Sequence, residues 1–274
     1  MGRSPVYYLT LLVLFLAALK VMVWFLEPHM AFVPFRGQDV TPERYGITFS
    51  EFTAETTDRE SIVGWVLEQA DARTEVLFFH GNGGNLSLWS DVLAGIHAKG
   101  YAVVALDYRG YGNSTGSPSE RGLYLDTDAF VHHFWQNLHR PERNVVYWGR
   151  SLGATMAAYA TTLTKPDGLI LESPFPSARS LLTHYPVLKV LSLFSSYRFP
   201  TEEFLRSFDR PVLIIHGDAD RIVPYRQGQD LFARLQTKKE FVTLRGADHN
   251  DLQGPDAVSY WAPVGRFVTS IQKK

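Results

Sequence analysis

The stretch VVYWGRSLGATMAAYA, Val145 to Ala160, decides the reading of this chain. Four apolar residues end at Gly149, a serine follows two positions later, and a helix pattern of small residues begins at once. Gly149-Arg150-Ser151-Leu152-Gly153 is therefore a Gly-x-Ser-x-Gly turn between a strand and a helix. Such a turn lifts the serine hydroxyl above the end of a sheet. It forces the serine into a strained backbone conformation, at a cost of about 1–3 kcal/mol. Side chains two residues away on either side would collide with the turn, so both places need glycine. The helix that follows directs its free N–H groups at the serine, which favours developing negative charge. The five-residue pattern is weak alone; the strand before it, the helix after it and the small residues Ala154, Ala157 and Ala158 make it specific.

A hydroxyl becomes a nucleophile when a base takes its proton. Downstream, VLIIHGDADRIVP puts Asp218 and Asp220 just after a buried strand, and FVTLRGADHND puts His249 shortly after the next. The order Ser151, Asp220, His249 fits a nucleophile, acid and base on successive strand ends. Asp218, a turn residue, and Glu172, after another strand, are the alternative acids. His80 and His216 each precede a glycine at a strand end and are read as structural; His132 and His133 lie on a helix. FFHGNGGN, Phe78 to Asn85, opens a glycine-rich loop whose N–H groups can face an oxyanion together with that of Leu152. Asn82 is the first choice there and Gly83 the second. A dinucleotide-binding reading needs a glycine where Leu86 stands, and a phosphate-loop lysine is missing.

Around these motifs, apolar runs alternate with helical spacing. Strands are predicted over 47–53, 62–67, 76–79, 101–106, 145–148, 169–171, 212–215 and 241–244, and helices over 86–98, 120–138, 152–163, 225–235 and 257–271. That pattern predicts an α/β fold: a mostly parallel sheet covered by helices on both faces. With 274 residues and 45% hydrophobic content, one large domain with a sizeable core is affordable by length and composition.

The amino end differs. VYYLTLLVLFLAALKVMVWFL, Val6 to Leu26, would span roughly 31 Å as a helix, a bilayer's hydrocarbon thickness. Lys20 costs about 2.5–3.5 kcal/mol, against roughly -4 to -8 kcal/mol from thirteen Leu, Phe and Val residues, so insertion wins. A cleaved signal peptide needs a small-x-small site, and Ala17-Ala18 runs instead into Leu19 and Lys20. The remaining alternative is a core helix. We read residues 1–27 as a single-pass membrane anchor contacting the bilayer through 6–26, residues 28–45 as a linker, and 46–274 as the catalytic domain. Arg3 before the segment and Arg36 and Arg44 after it barely discriminate orientation; the expectation is a domain on the non-cytoplasmic side.

A net charge of -1 argues against a nucleic-acid partner. The chain has no cysteine, which removes disulfides and thiol catalysis. It has no His-Glu-x-x-His, and neither metal nor cofactor is expected.

HGNGGN, LDYRGYGNSTGSPSE, GRSLGA, ESPF, HGDADRIVP and GADHND together resemble the α/β-hydrolase superfamily, in particular the Bem-like α/β-hydrolase-domain serine hydrolases, many with an N-terminal membrane anchor. The resemblance runs from about residue 46 to the end. It implies an α/β-hydrolase fold with Ser151, Asp220 and His249 as nucleophile, acid and base, and a mainly structural role for Asp107, Arg109 and Tyr111. Gly83, where many relatives have alanine, is a departure that would loosen the oxyanion loop.

Residues 174–207 form an insertion carrying Phe175, Leu181, Leu182, Tyr185, Leu193 and Phe194 among other apolar residues. It is expected to cap the site with an apolar wall, or else to pack onto the domain. With the anchor, this favours esters or thioesters of acyl or lipid-like substrates. A serine peptidase of the same fold and a membrane-tethered binding domain are the alternatives.

Overall fold

The computed structural model describes residues 4–253 and 257–272; Arg3 lies outside them. Eight strands form one sheet: β1 (Ser50–Glu55), β2 (Ser61–Leu67), β3 (Thr74–Phe79), β4 (Ala102–Leu106), β5 (Asn144–Arg150), β6 (Gly168–Glu172), β7 (Val212–Gly217) and β8 (Lys239–Leu244). Their order is β1-β2-β4-β3-β5-β6-β7-β8. β2 is antiparallel to both neighbours, and every pairing from β4 to β8 is parallel. The strand order reverses between β4, β3 and β5, and crevices at such points lie beyond the carboxyl ends of the strands.

The central strands are buried on both faces, which is why they read as unbroken apolar runs. In β3, Leu77 and Phe79 enter one core, with residues of α3 (Glu120–His133), α4 (Leu152–Leu163) and α8 (Tyr225–Arg234). Val76 and Phe78 enter the other, with α2 (Ser90–His97) and α9 (Ala257–Ile271). Each fully buried side chain of this size contributes about 1.5–3 kcal/mol.

Boundaries moved where side chains competed with the backbone. The helix expected from residue 86 begins at Ser90, because Asn85 folds a local turn that takes the Leu88 N–H on its Oδ1 (3.2 Å) and the Trp89 N–H on its carbonyl (3.2 Å). The helix expected to run to Leu138 widens after His133 into a π turn, Phe134–Leu138, closed by the His139 N–H on Phe134 O.

The insertion carries three short helices, α5 (Ala178–His184), α6 (Pro186–Leu191) and α7 (Thr201–Phe204). Phe175, Ala178, Phe199 and Leu205 are buried in the core beside α3 and α4, so much of its apolar surface serves packing.

Helix α1 (Pro5–Ala31) is 27 residues, with Ser4 capping its start and Pro5 in the first turn. It continues through Pro28, where the Phe32 N–H bonds Pro28 O (3.1 Å). Residues 5–29 are long and apolar enough to cross a membrane, and their side chains are not buried in the domain. Phe32, immediately after, is 3% exposed and sits in the core. The segment read as a linker is stitched to the domain: Val33 and Pro34 pair in parallel with Gly83 and Gly84, and the Phe35 N–H bonds Gly84 O (3.0 Å).

Candidate active site

Ser151 sits between β5 and α4 with φ 56° and ψ -117°, a region that residues with side chains rarely occupy. Its neighbours explain how the turn closes. A Cβ on Gly149 would lie 2.1 Å from Gly153 O, and one on Gly153 would lie 1.9 Å from Phe79 O. The Ser151 N–H is held by Glu172 O at the end of β6 (2.8 Å). The hydroxyl faces no partner among the described residues.

Asp220 follows β7, in a loop closed onto itself. Its Oδ1 accepts the N–H groups of Ile222 (2.9 Å) and Val223 (2.7 Å). Its Oδ2 accepts from Ser173 Oγ (2.8 Å) and from His249 Nδ1 (2.8 Å). His216 Nε2 lies 3.3 Å from the same oxygen while donating to Val223 O (2.8 Å). Burial by itself raises this carboxyl's pKa; the His216 and His249 imidazoles beside it and the Val223 N–H outweigh it and hold Asp220 well below the usual carboxylate range. An ionised Asp220 fixes the imidazole with Nδ1 as donor and leaves Nε2 free to accept.

The loop carrying His249 is tied to its surroundings from two sides. Asp248 Oδ1 accepts the N–H groups of Arg221 (3.0 Å) and His249 (2.8 Å). These bonds, with the Arg221 guanidinium, hold the Asp248 pKa near 2, so it stays ionised and keeps the Asp220 and His249 loops together. From below, buried Arg150 donates Nη2 to His249 O (2.5 Å), with its guanidinium over Trp89 at 5.3 Å.

Ser151 and His249 line one cavity of about 530 Å³, together with Asn82, Gly83, Arg150 and Asn250. Its apolar lining is Leu88, Trp89, Val92 and Ile222; among the described residues lining it, none belongs to the insertion. The insertion instead reaches the rim, where the Tyr185 hydroxyl lies within hydrogen-bond distance of Arg221 O (3.0 Å) and Ile222 O (2.9 Å). The expected apolar wall is thus supplied by the start of α2 and by the Asp220 loop.

Asn82 lies beside Ser151 on the loop after β3, and Leu152 opens α4, where the first N–H groups have no intrahelical acceptor. The Tyr111 hydroxyl lies 2.9 Å from Asn82 O and fixes that loop. Gly83 is paired to Val33, and Trp89 Nε1 donates to its carbonyl (2.9 Å). Arg109 binds Asp126 (2.8 Å) and Asp58 (2.8 Å), and Asp107 Oδ1 accepts the Leu86 N–H (2.8 Å).

The alternative acids are occupied elsewhere. Asp218 Oδ1 accepts the Gly246 N–H (2.6 Å) in a turn. Glu172 is buried against Trp148 Nε1 (2.7 Å) and the Tyr260 hydroxyl. Sequence reading missed Ser173 and Arg150, which contact Asp220 and the loop carrying His249. Ser173 follows Glu172 at a strand end and holds φ 43°, and only its place beside a strand terminus could have flagged it.

A family model described as serine aminopeptidase, S33, matches residues 70–210. An uncharacterised membrane protein of Saccharomyces cerevisiae, YNL320W, is 31% identical over 83% of this chain and 82% of its own. Protein bem46 of Schizosaccharomyces pombe is 28% identical over 77% of this chain and 74% of its own. The chain is a Bem-like α/β-hydrolase. Lysophosphatidylserine lipase ABHD12 of Macaca fascicularis is 32% identical to this hydrolase over 63% of the chain, spanning 48% of that protein. The solved Pyrococcus furiosus esterase Pf2001 shares the fold, with a TM-score of 0.72, 21% identity and coverage of 88% of this chain and 98% of that one. Among the described residues no cluster of His, Asp and Glu suits a metal ion.

Proposed function

We propose that this hydrolase cleaves carboxylic ester or thioester bonds of acyl, lipid-like substrates through Ser151, His249 and Asp220, and that α1 anchors it in a membrane with its domain on the non-cytoplasmic side. The carrying observation is the His249–Asp220 bond beside a strained serine in the same cavity. In this reading Ser151 Oγ attacks the acyl carbonyl as His249 Nε2 takes its proton. The tetrahedral oxyanion is held by the N–H groups of Asn82 and Leu152. His249 then returns the proton to the leaving alcohol or thiol, leaving an acyl-Ser151. Water, deprotonated by His249, attacks that ester; the acyl–oxygen bond breaks, His249 returns the proton to the departing Ser151 Oγ, and the carboxylic acid is released. Asp220 orients the imidazole and stabilises its charged form. An open serine–histidine contact agrees with this scheme, because such bonds tighten when substrate binds.

Esterase and lipase chemistry among the similar proteins supports the acyl substrate, as do Leu88, Trp89, Val92 and Ile222 in the cavity. The description of the matching family favours a peptidase as the second reading. One experiment separates them: p-nitrophenyl acyl esters of increasing length set beside peptide amides, with Ser151→Ala as control. Ester turnover well above amide turnover is the expected result. Equal amide turnover overturns the ester reading, and absent fluorophosphonate labelling of Ser151 in folded protein overturns the enzyme.

A further inference from the structure

Two ionisable side chains on α1, Lys20 and Glu27, bind within one four-residue stretch of the insertion, 194–197, and share Ser196. Lys20 Nζ donates to Phe194 O (2.6 Å) and Ser196 Oγ (3.1 Å). Glu27 accepts the N–H groups of Ser196 (2.8 Å) and Tyr197 (3.4 Å) and the Ser195 hydroxyl. Seven residues apart, the two lie on one face of the helix, about 10 Å along its axis. The contact continues in Phe32, whose ring meets Tyr197 at 5.6 Å and Phe199 at 6.3 Å.

The depth of these bonds matters. Lys20 stands six residues, about 9 Å, inside the Leu26 end of the apolar stretch, and Glu27 stands at that end. Charges at such depth are costly unless paired or drawn to the interface. Here the partners come from residues 194–197, which must sit at the level of the charges they bind. Beside them, Val190 and Leu193 are 61% and 69% exposed, and Lys189 next to Val190 is exposed too. Apolar side chains flanked by a basic one suit a surface that enters the headgroup boundary. The same insertion reaches the cavity rim through Tyr185, and Leu88 and Ile222 at the cavity are also more than half exposed.

We propose that the face of the insertion bearing Val190 and Leu193 is a second bilayer contact, docked at headgroup depth by Lys20 and Glu27 of the anchor. The enzyme then meets acyl chains at the bilayer surface. This deepens the substrate reading; it rests on α1 as the anchor and not on the chemistry of Ser151.

The chain has no cysteine, so Val190→Cys, Leu193→Cys, Leu12→Cys and Val258→Cys each carry a single nitroxide label. Full-length protein in phosphatidylcholine vesicles is measured by electron paramagnetic resonance, comparing relaxation by oxygen with relaxation by a water-soluble nickel chelate. Labels at 190 and 193 are expected to be more oxygen-weighted than that at 258, 75% exposed on α9, and to lie between it and the label at 12. Adding Lys20→Leu and Glu27→Gln should shift the 193 label toward the value at 258. Labels at 190 and 193 that match 258 overturn the proposal while leaving the anchor intact if 12 stays in lipid. An unchanged 193 signal in the double variant overturns the docking role. Spin–spin broadening at 193 that disappears on dilution with unlabelled protein assigns the face to a second copy and overturns it too. If the double variant does not fold, the single labels in otherwise unaltered protein still decide. None of these readings depends on fluorophosphonate labelling, so failure of the hydrolase chemistry is recorded separately.

Discussion

Asp220 concentrates four hydrogen bonds on one buried carboxylate, two from backbone N–H groups and two from side chains. Replacing it by asparagine keeps the size but offers an amide where His249 Nδ1 donates. Asp220→Asn is expected to lower kcat by roughly 10³–10⁴ with little change in KM, measured on a chromogenic ester. Acid stability gives a second readout. The folded Asp220 titrates well below the unfolded value of about 3.9, so the unfolded chain binds more protons in that window. The resulting stability is present above about pH 4 and is lost as pH falls toward the folded value. Between pH 5 and 2, melting temperature should fall more steeply for the natural chain than for Asp220→Asn. Equal slopes would mean that the carboxylate is no better stabilised in the fold than in water.

At the scale of elements, the junction of β5, α4 and the end of β3 tolerates almost no added volume. The Cβ of Gly153→Ala would press on the Phe79 carbonyl, a backbone atom that cannot rotate away. We expect a loss of about 2–3 kcal/mol or more, roughly 5–10 °C in Tm, by thermal melting. A similar Cβ at Gly83 meets nothing within 4 Å, so Gly83→Ala should leave Tm unchanged within about 1 °C. The Gly-x-Ser-x-Gly turn was readable because its demands are local: two glycines, one strand, one helix. The parallel sheet was readable for a related reason, since burial on both faces leaves unbroken apolar runs such as Val76–Phe79. Contacts that join distant segments carried no such mark. Nothing around Arg150 announces a bond to the His249 carbonyl 99 residues away, and Ser173 reads as an ordinary loop serine. The turn that delays α2 to Ser90 depends on one Asn85 side chain, a competition that periodicity does not register.

Across the whole molecule, α1 and the domain are not joined by a slack tether. Phe32 is in the core, Val33 and Pro34 run beside the loop that bears Asn82, and Arg36 bonds Ser114 O (2.5 Å) and Gly116 O (2.8 Å). The stretch between helix and sheet therefore belongs structurally to the domain it leads into. This bears on how the protein can be shortened for work in solution. A chain trimmed to begin at residue 46 would strip a neighbour from the Gly83–Gly84 backbone and open a hole where Phe32 was, whereas one beginning at residue 32 keeps both. The longer trim should show a lower melting temperature and at least tenfold weaker ester turnover than the shorter one, and equal performance would mean that this edging is ornamental.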